Sequence, residues 1–263
     1  MWAAIEQIAA LFSFMIADIN GCQIAYDVRG DGDQLLLLHG GMGAGADWKY
    51  VFPTDPSGFR VIVPDLRGHG ASTNPSGAFT FRQAALDILA LLDRIGVEKV
   101  KAIGLSGGGI TLLHMATLQP ARIESMVVVS APPYFPAQAR AIQAKFSEEM
   151  LSENERQAMR RRHVHGEDQI RMLVEQTRGF AANFDDVNFT PPLLSTITAD
   201  TLIVFGDRDF LYPVSIAFEL SAAIPRSFLW IVPNGPHGPI FGPHTPAFVA
   251  TATAFLRGDW RTR

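Results

Sequence analysis

The sequence predicts an α/β protein built on a doubly wound, mostly parallel sheet with a helical cap insertion, and three observations carry that expectation. Apolar, β-rich runs recur along the chain, amphipathic helical patterns fill the intervals, and one charge-rich helical stretch interrupts the rhythm. Continuous apolar runs suit strands covered on both faces, as in parallel sheets. Their alternation with helices is the order a doubly wound sheet requires.

In chain order, a strand-like pattern begins at Ile16, with residues 1–15 before it as an N-terminal extension. Leu35 to Leu38, Val61 to Val63, Val100 to Ile103, Met126 to Val129, Leu202 to Phe205 and Leu229 to Val232 are the expected core strands. Phe81 to Ile95 carries apolar residues at helical spacing, and Gly96 stands where a helix C-terminal glycine belongs. Ile110 to Leu118 is a second helix. Residues 133–189 turn helical and charged and are expected to form the cap, between core segments 16–132 and 190–263. Arg160-Arg161-Arg162 within it is expected to be one solvated helix face.

Composition narrows the functional classes. With 263 residues, 48% hydrophobic and 18% charged, the chain suffices for one large core. A net charge of −4 without a basic block gives no electrostatic reason to bind nucleic acid or acidic lipid. Cys22 is the only cysteine, which rules out an internal disulfide and a cysteine zinc cluster and suits a reducing compartment. Residues 1–16 contain no Lys or Arg and include Glu6, unlike a signal peptide. Ile8 to Ala17 falls short of the roughly 20 residues that span a bilayer. The expectation is a soluble, cytoplasmic protein that acts on a small molecule, with no nucleic-acid or membrane partner.

The chemistry centres on Gly104-Leu105-Ser106-Gly107-Gly108, which follows one expected strand and precedes a helix. Glycines flank the serine because a sharp strand-to-helix turn leaves no room for side chains, and the turn exposes the hydroxyl. A serine hydroxyl is a weak nucleophile, so it needs a histidine base and a carboxylate to orient that base. Asp209 follows the strand ending at Phe205 and is preferred to Asp207, which can serve the turn or pair with Arg208. His237 follows the strand ending at Val232, in Pro233-Asn234-Gly235-Pro236-His237-Gly238; His244 is the fallback. His114, His163 and His165 lie on helical patterns and are expected to be packed or solvated. A histidine base must be neutral, so acylation is expected to slow below roughly pH 6 to 7.

Acyl transfer also needs backbone N–H donors for the oxyanion. Gly107 supplies one, and the loop His39-Gly40-Gly41-Met42-Gly43 supplies the other, from Gly41 or its neighbour Met42. That loop lacks the Lys-Ser/Thr pair of a phosphate loop and a dinucleotide fingerprint. The scheme uses no metal and no cofactor. Met42, Trp48, Phe210 and Phe241 from the core, with Tyr134, Phe135, Phe180 and Phe184 from the cap, are the candidates for an apolar substrate pocket.

With these motifs in this order, the chain resembles the α/β-hydrolase family from about Ile16 onward, in the esterase, lactonase and carbon-carbon hydrolase branch with a helical cap. The resemblance implies Ser106 as nucleophile, Asp209 within Gly206-x-x-Asp209-x-x-x-Pro213 as acid, His237 as base, and Gly41 and Gly107 as oxyanion donors. Asp65-Leu66-Arg67-Gly68-His69-Gly70-Ala71-Ser72 is similar to a structural loop of the family, so His69 is not the base. Members that open epoxides or remove halogens carry aspartate where this chain has Ser106, which favours ester-type chemistry. Pro236 departs from the family's usual glycine and stiffens the loop before His237. A carboxylesterase-like serine hydrolase is the expectation. The alternatives are a lactonase, carbon-carbon hydrolase, lyase or cofactor-free perhydrolase using the same triad, or a non-catalytic small-ligand receptor on this scaffold.

Overall fold

The computed structural model describes residues 14–261, so most of the expected N-terminal extension lies outside the described residues. Eight strands among those residues form one sheet: β1 (Met15–Ile19), β2 (Cys22–Arg29), β3 (Asp33–Leu38), β4 (Phe59–Pro64), β5 (Val100–Leu105), β6 (Ile123–Val129), β7 (Asp200–Gly206) and β8 (Ser227–Val232). Their spatial order is β1-β2-β4-β3-β5-β6-β7-β8. From β4 to β8 every pairing is parallel, while β1-β2 and β2-β4 are antiparallel.

The first two strands form a hairpin: β1 coincides with the strand-like pattern that begins at Ile16, and β2 lies outside the expected core strands. Asn20 and Gly21 both have positive φ, +47° and +77°, the pairing that an Asn-Gly hairpin turn favours. The other strands match the apolar runs, each extended by one or more residues at an end. Helices α1 (Phe81–Arg94) and α2 (Gly107–Leu118) correspond to the two helical patterns. Thr80 caps α1 by accepting from Gln83 N, and Gly96 follows its end with φ +72°.

Between β6 and β7 the chain forms α3 (Ala137–Lys145), α4 (Glu153–Arg162), α5 (Glu167–Gly179) and the one-turn α6 (Pro191–Leu194). Helices α7 (Ser215–Ala223) and α8 (Thr245–Arg257) follow the last two strands.

The strand residues alternate between two cores. Leu36, Leu38, Ala102 and Phe205 pack with α1, α2 and α7 on one face, whereas Leu35, Leu37, Ile103 and Val204 pack with Trp48, Phe52 and α8 on the other. A strand covered on both faces has no reason to alternate polar residues, which accounts for the unbroken Leu35 to Leu38 run. Register then sets the site: Leu38 pairs with Gly104, Leu105 with Val129, and Gly206 with Val232. The carboxyl ends of these strands gather at one sheet edge, and chain order reverses between β3 and β5, where ligand crevices form in such sheets.

Candidate active site

Ser106 sits between β5 and α2 with φ +50° and ψ −114°, backbone that costs an ordinary residue about 1–3 kcal/mol. Two bonds hold it there: Ser106 N donates to Val129 O at 2.7 Å, and Ile110 N donates to Ser106 O at 2.9 Å. The flanking glycines are steric necessities. A Cβ on Gly104 would lie 2.6 Å from Gly108 O, and one on Gly108 would lie 2.2 Å from Leu38 O.

The loops after β7 and β8 deliver the other two groups. Asp209 is buried, and its Oδ1 accepts from Leu211 N at 2.8 Å and Tyr212 N at 3.0 Å. Its Oδ2 meets His237 Nδ1 at 2.8 Å, and His237 Nε2 meets Ser106 Oγ at 3.0 Å. A carboxylate only accepts, so Nδ1 carries the imidazole proton and the Nε2 lone pair faces the serine hydroxyl. Gly238 N donates to Ser130 Oγ at 3.1 Å, anchoring the histidine loop to the end of β6. The arrangement suits proton transfer from Ser106 to His237, with Asp209 holding the ring.

Gly41 and Gly107 lie close together: a Cβ on Gly107 would lie 3.1 Å from Gly41 N. Met42 takes φ +57°, and its carbonyl accepts from His163 Nε2 at 3.2 Å. His163 Nδ1 in turn accepts from Gly70 N at 3.0 Å, so this α4-terminal histidine ties the Gly41 loop to the loop after β4. Burial pushes the His163 pKa down to about 4. His69 and His39 beside it are also pushed down, burial being the main cause in each. His39 Nε2 accepts from Leu66 N at 3.0 Å. These rings are neutral struts.

A cavity of about 410 Å³ opens against the Gly41 loop. Met42, Trp48 and Phe241 line it, together with Tyr50, Leu105, Leu151, Met159 and Arg162, which are not among the pocket residues expected from the sequence. Phe210 is exposed, with its ring edge-on to His237 at 6.0 Å. Phe135 and Phe180 are buried in a cluster with Phe81, whose Cε1 would lie 3.1 Å from a Cβ on Gly107. Tyr134 and Phe184 are exposed away from this cavity: Tyr134 donates to Glu219, and Phe184 lies 3.7 Å beneath the Arg140 guanidinium. Arg162, from the arginine run, reaches Asp47 Oδ1 at 2.8 Å and bridges α4 to the core.

The remaining candidates sit elsewhere. Asp207 lies 3.9 Å from Arg208, and His114 Nε2 donates to Asp186 O at 2.8 Å. His165 Nε2 meets Ala71 O at 3.0 Å, His69 Nδ1 meets Arg67 O at 3.0 Å, and His244 ends a short 3₁₀ turn before α8. Tyr212, close to Asp209 in sequence, was overlooked and lies against the His237 ring at 5.3 Å.

Comparison with known proteins agrees with this architecture. Residues 33–161 match the family model described as the alpha/beta hydrolase fold. A soluble epoxide hydrolase from Corynebacterium sp. (strain C12) is 35% identical over 117 residues, which is 44% of this chain and 41% of that protein. The serine hydrolase BPHL from Homo sapiens is 28% identical over 229 residues, covering 83% of this chain and 78% of the relative. Among solved structures, the enol-lactonase from Burkholderia xenovorans LB400 superposes with a TM-score of 0.74 at 22% identity, covering 92% of this chain and all of that one. Among the described residues, no helix is long and apolar enough to cross a membrane. The sheet order, the strand-turn-helix at Ser106 and these likenesses together show that the chain belongs to the α/β-hydrolase family.

Proposed function

We propose that the protein is a serine hydrolase that cleaves a small carboxylic ester, or a related acyl bond, through an acyl-enzyme on Ser106. The observation that carries this reading is the continuous relay from Asp209 Oδ2 through His237 to Ser106 Oγ, with contacts of 2.8 and 3.0 Å. In this reading Ser106 Oγ attacks the acyl carbon as its proton passes to His237 Nε2, and the carbonyl electron pair moves onto oxygen facing Gly41 and Gly107. The leaving alcohol takes the proton from His237 as its bond to the acyl carbon breaks. Water, deprotonated by His237, then attacks the acyl carbon, and Ser106 Oγ leaves with the proton that His237 returns to it as the acid is released. Asp209 holds the imidazole and stabilises its charged form.

The cavity beside the Gly41 loop supports a small, largely apolar substrate, because Met42, Trp48, Leu105 and Phe241 face it. The helices between β6 and β7 serve as its cap, with Met159 and Arg162 on its far side. Cys22, buried and unpaired, suits a reducing compartment such as the cytoplasm. The test is turnover of purified protein on short-chain nitrophenyl esters, lactones and vinylogous diketones, with Ser106→Ala as the blank. Ester turnover lost in Ser106→Ala is expected. Turnover that survives in that variant, or that is confined to diketones, overturns the ester reading.

A further inference from the structure

We propose that His163, the residue that ends α4, is a positioning residue for acyl transfer: it clamps the turn that carries the Gly41 amide and so fixes where that donor points. The inference rests on the reading of Ser106 as nucleophile and of Gly41 as an oxyanion donor. Gly40 to Gly43 form a tight turn, closed by Gly43 N donating to Gly40 O at 3.1 Å. Within it Met42 takes φ +57°, with Gly41 before it outside the positive-φ region. That is the pattern of a type II turn, whose third position normally falls to glycine or asparagine. A methionine there is strained, and its relaxation to negative φ would turn the Gly41–Met42 peptide over. The Met42–Gly43 peptide is held at both ends against that relaxation. Its N–H is spent on Gly40 O, and its carbonyl accepts from His163 Nε2 at 3.2 Å.

Proton accounting gives the clamp its direction. His163 Nδ1 accepts from Gly70 N at 3.0 Å, so Nδ1 supplies the lone pair and Nε2 the proton that goes to Met42 O. The ring is 1% exposed, and burial keeps it in the neutral form that can accept at one nitrogen and donate at the other. Its chain neighbours fix its place. Arg162 Nε donates to Asp47 Oδ1 at 2.8 Å, and Val164 N donates to Gly70 O at 3.2 Å. Met159 and Arg162 of the same helix line the cavity, so the helix that walls the substrate also sets the turn that receives its carbonyl oxygen.

In acylation and again in deacylation the carbonyl electron pair moves onto oxygen, and a donor already in place stabilises that charge without reorganising. A turn free to relax carries the Gly41 amide out of position in part of the population. The chemical steps then slow, while binding of the uncharged ester through the cavity walls is left as it was.

The experiment compares wild type, His163→Asn and His163→Gln by fluorophosphonate labelling rate, by kcat and KM on a turned-over nitrophenyl ester, and by thermal melting, with rates taken well below each melting transition. Asparagine keeps an acceptor for Gly70 N but is too short to reach Met42 O, whereas glutamine reaches it with an N–H. The expected result in His163→Asn is a loss of about tenfold to hundredfold in labelling rate and kcat with KM nearly unchanged, most of it recovered in His163→Gln. The comparison is repeated in Met42→Gly, where glycine adopts the turn without strain. Because Met42 also lines the cavity, only the ratio within that background is read. There His163→Asn should cost less than about threefold. Wild-type labelling rate and kcat in His163→Asn overturn the proposal, and so does an equal loss in the Met42→Gly background, which would make His163 a support for the cap alone. Failure of the underlying reading is distinct, because wild type itself would then neither label nor turn over esters.

Discussion

At Ser106 the backbone holds a strained conformation, φ +50°, with Oγ 3.0 Å from His237 Nε2. Ser106→Ala should leave unfolding free energy within about 1 kcal/mol of wild type while ester turnover falls about 10⁴-fold or more; loss of structure by circular dichroism would assign the residue a folding role instead. Asp209→Asn keeps the acceptor oxygen for Leu211 N and Tyr212 N but can favour the wrong imidazole tautomer, so kcat should drop about 10⁴-fold with little change in melting. A drop below tenfold, measured on the same ester, would remove Asp209 from the relay. Ser106, Asp209 and His237 were legible because each follows an apolar strand at a glycine- or proline-marked turn. The aromatic candidates were not, because Tyr134, Phe184 and Phe135 have similar residue character but different surroundings. Two of them end exposed on Glu219 and Arg140, and one lies in a buried cluster.

The elements show why spacing succeeded in some places and failed in others. Helices α1 and α2 were visible from periodicity, yet the β1-β2 hairpin escaped although Asn20-Gly21 is a strong turn signal, because mixed burial in β2 blurs its alternation. The partner of Arg162 lies 115 residues away, at Asp47, a separation no local pattern reports. Close approach between elements yields one prediction: Gly108→Ala pushes a Cβ into the Leu38 carbonyl and should destabilise by about 3 kcal/mol. An unchanged denaturation midpoint would contradict the packing of α2 on β3. A second prediction concerns His163, which joins α4 to the Gly41 loop. Its folded pKa of about 4 lies below the ordinary 6.5, so protons favour the unfolded chain. The stabilisation is therefore full above about pH 6.5 and is lost as pH falls toward 4, by up to about 3 kcal/mol. Guanidinium unfolding across that range should show a shallower pH slope in His163→Asn than in wild type, and equal slopes would contradict the assignment.

For the molecule as a whole, one sheet with a core on each face explains both the composition and the site. Leu36 and Leu37 are adjacent in sequence but sit in different cores, so Leu36→Ala and Leu37→Ala should each cost about 2–5 kcal/mol in urea unfolding. A cost below 1 kcal/mol at either would mean that face is not closed. The α/β class was legible from such runs because burial on both faces removes polar alternation, whereas the paths of the helices between β6 and β7 depend on contacts with loops distant in sequence, such as Val164 N to Gly70 O. Strand register brings Gly104, Gly206 and Val232 to one edge, and with them the three loops that hold Ser106, Asp209 and His237. The most direct test of that convergence is to treat the protein with a fluorophosphonate and locate the adduct by peptide mass spectrometry. The account predicts one adduct, on Ser106, with labelling abolished in Ser106→Ala and strongly slowed in His237→Ala. A protein that stays unlabelled, or one that carries the adduct on another residue, would contradict it.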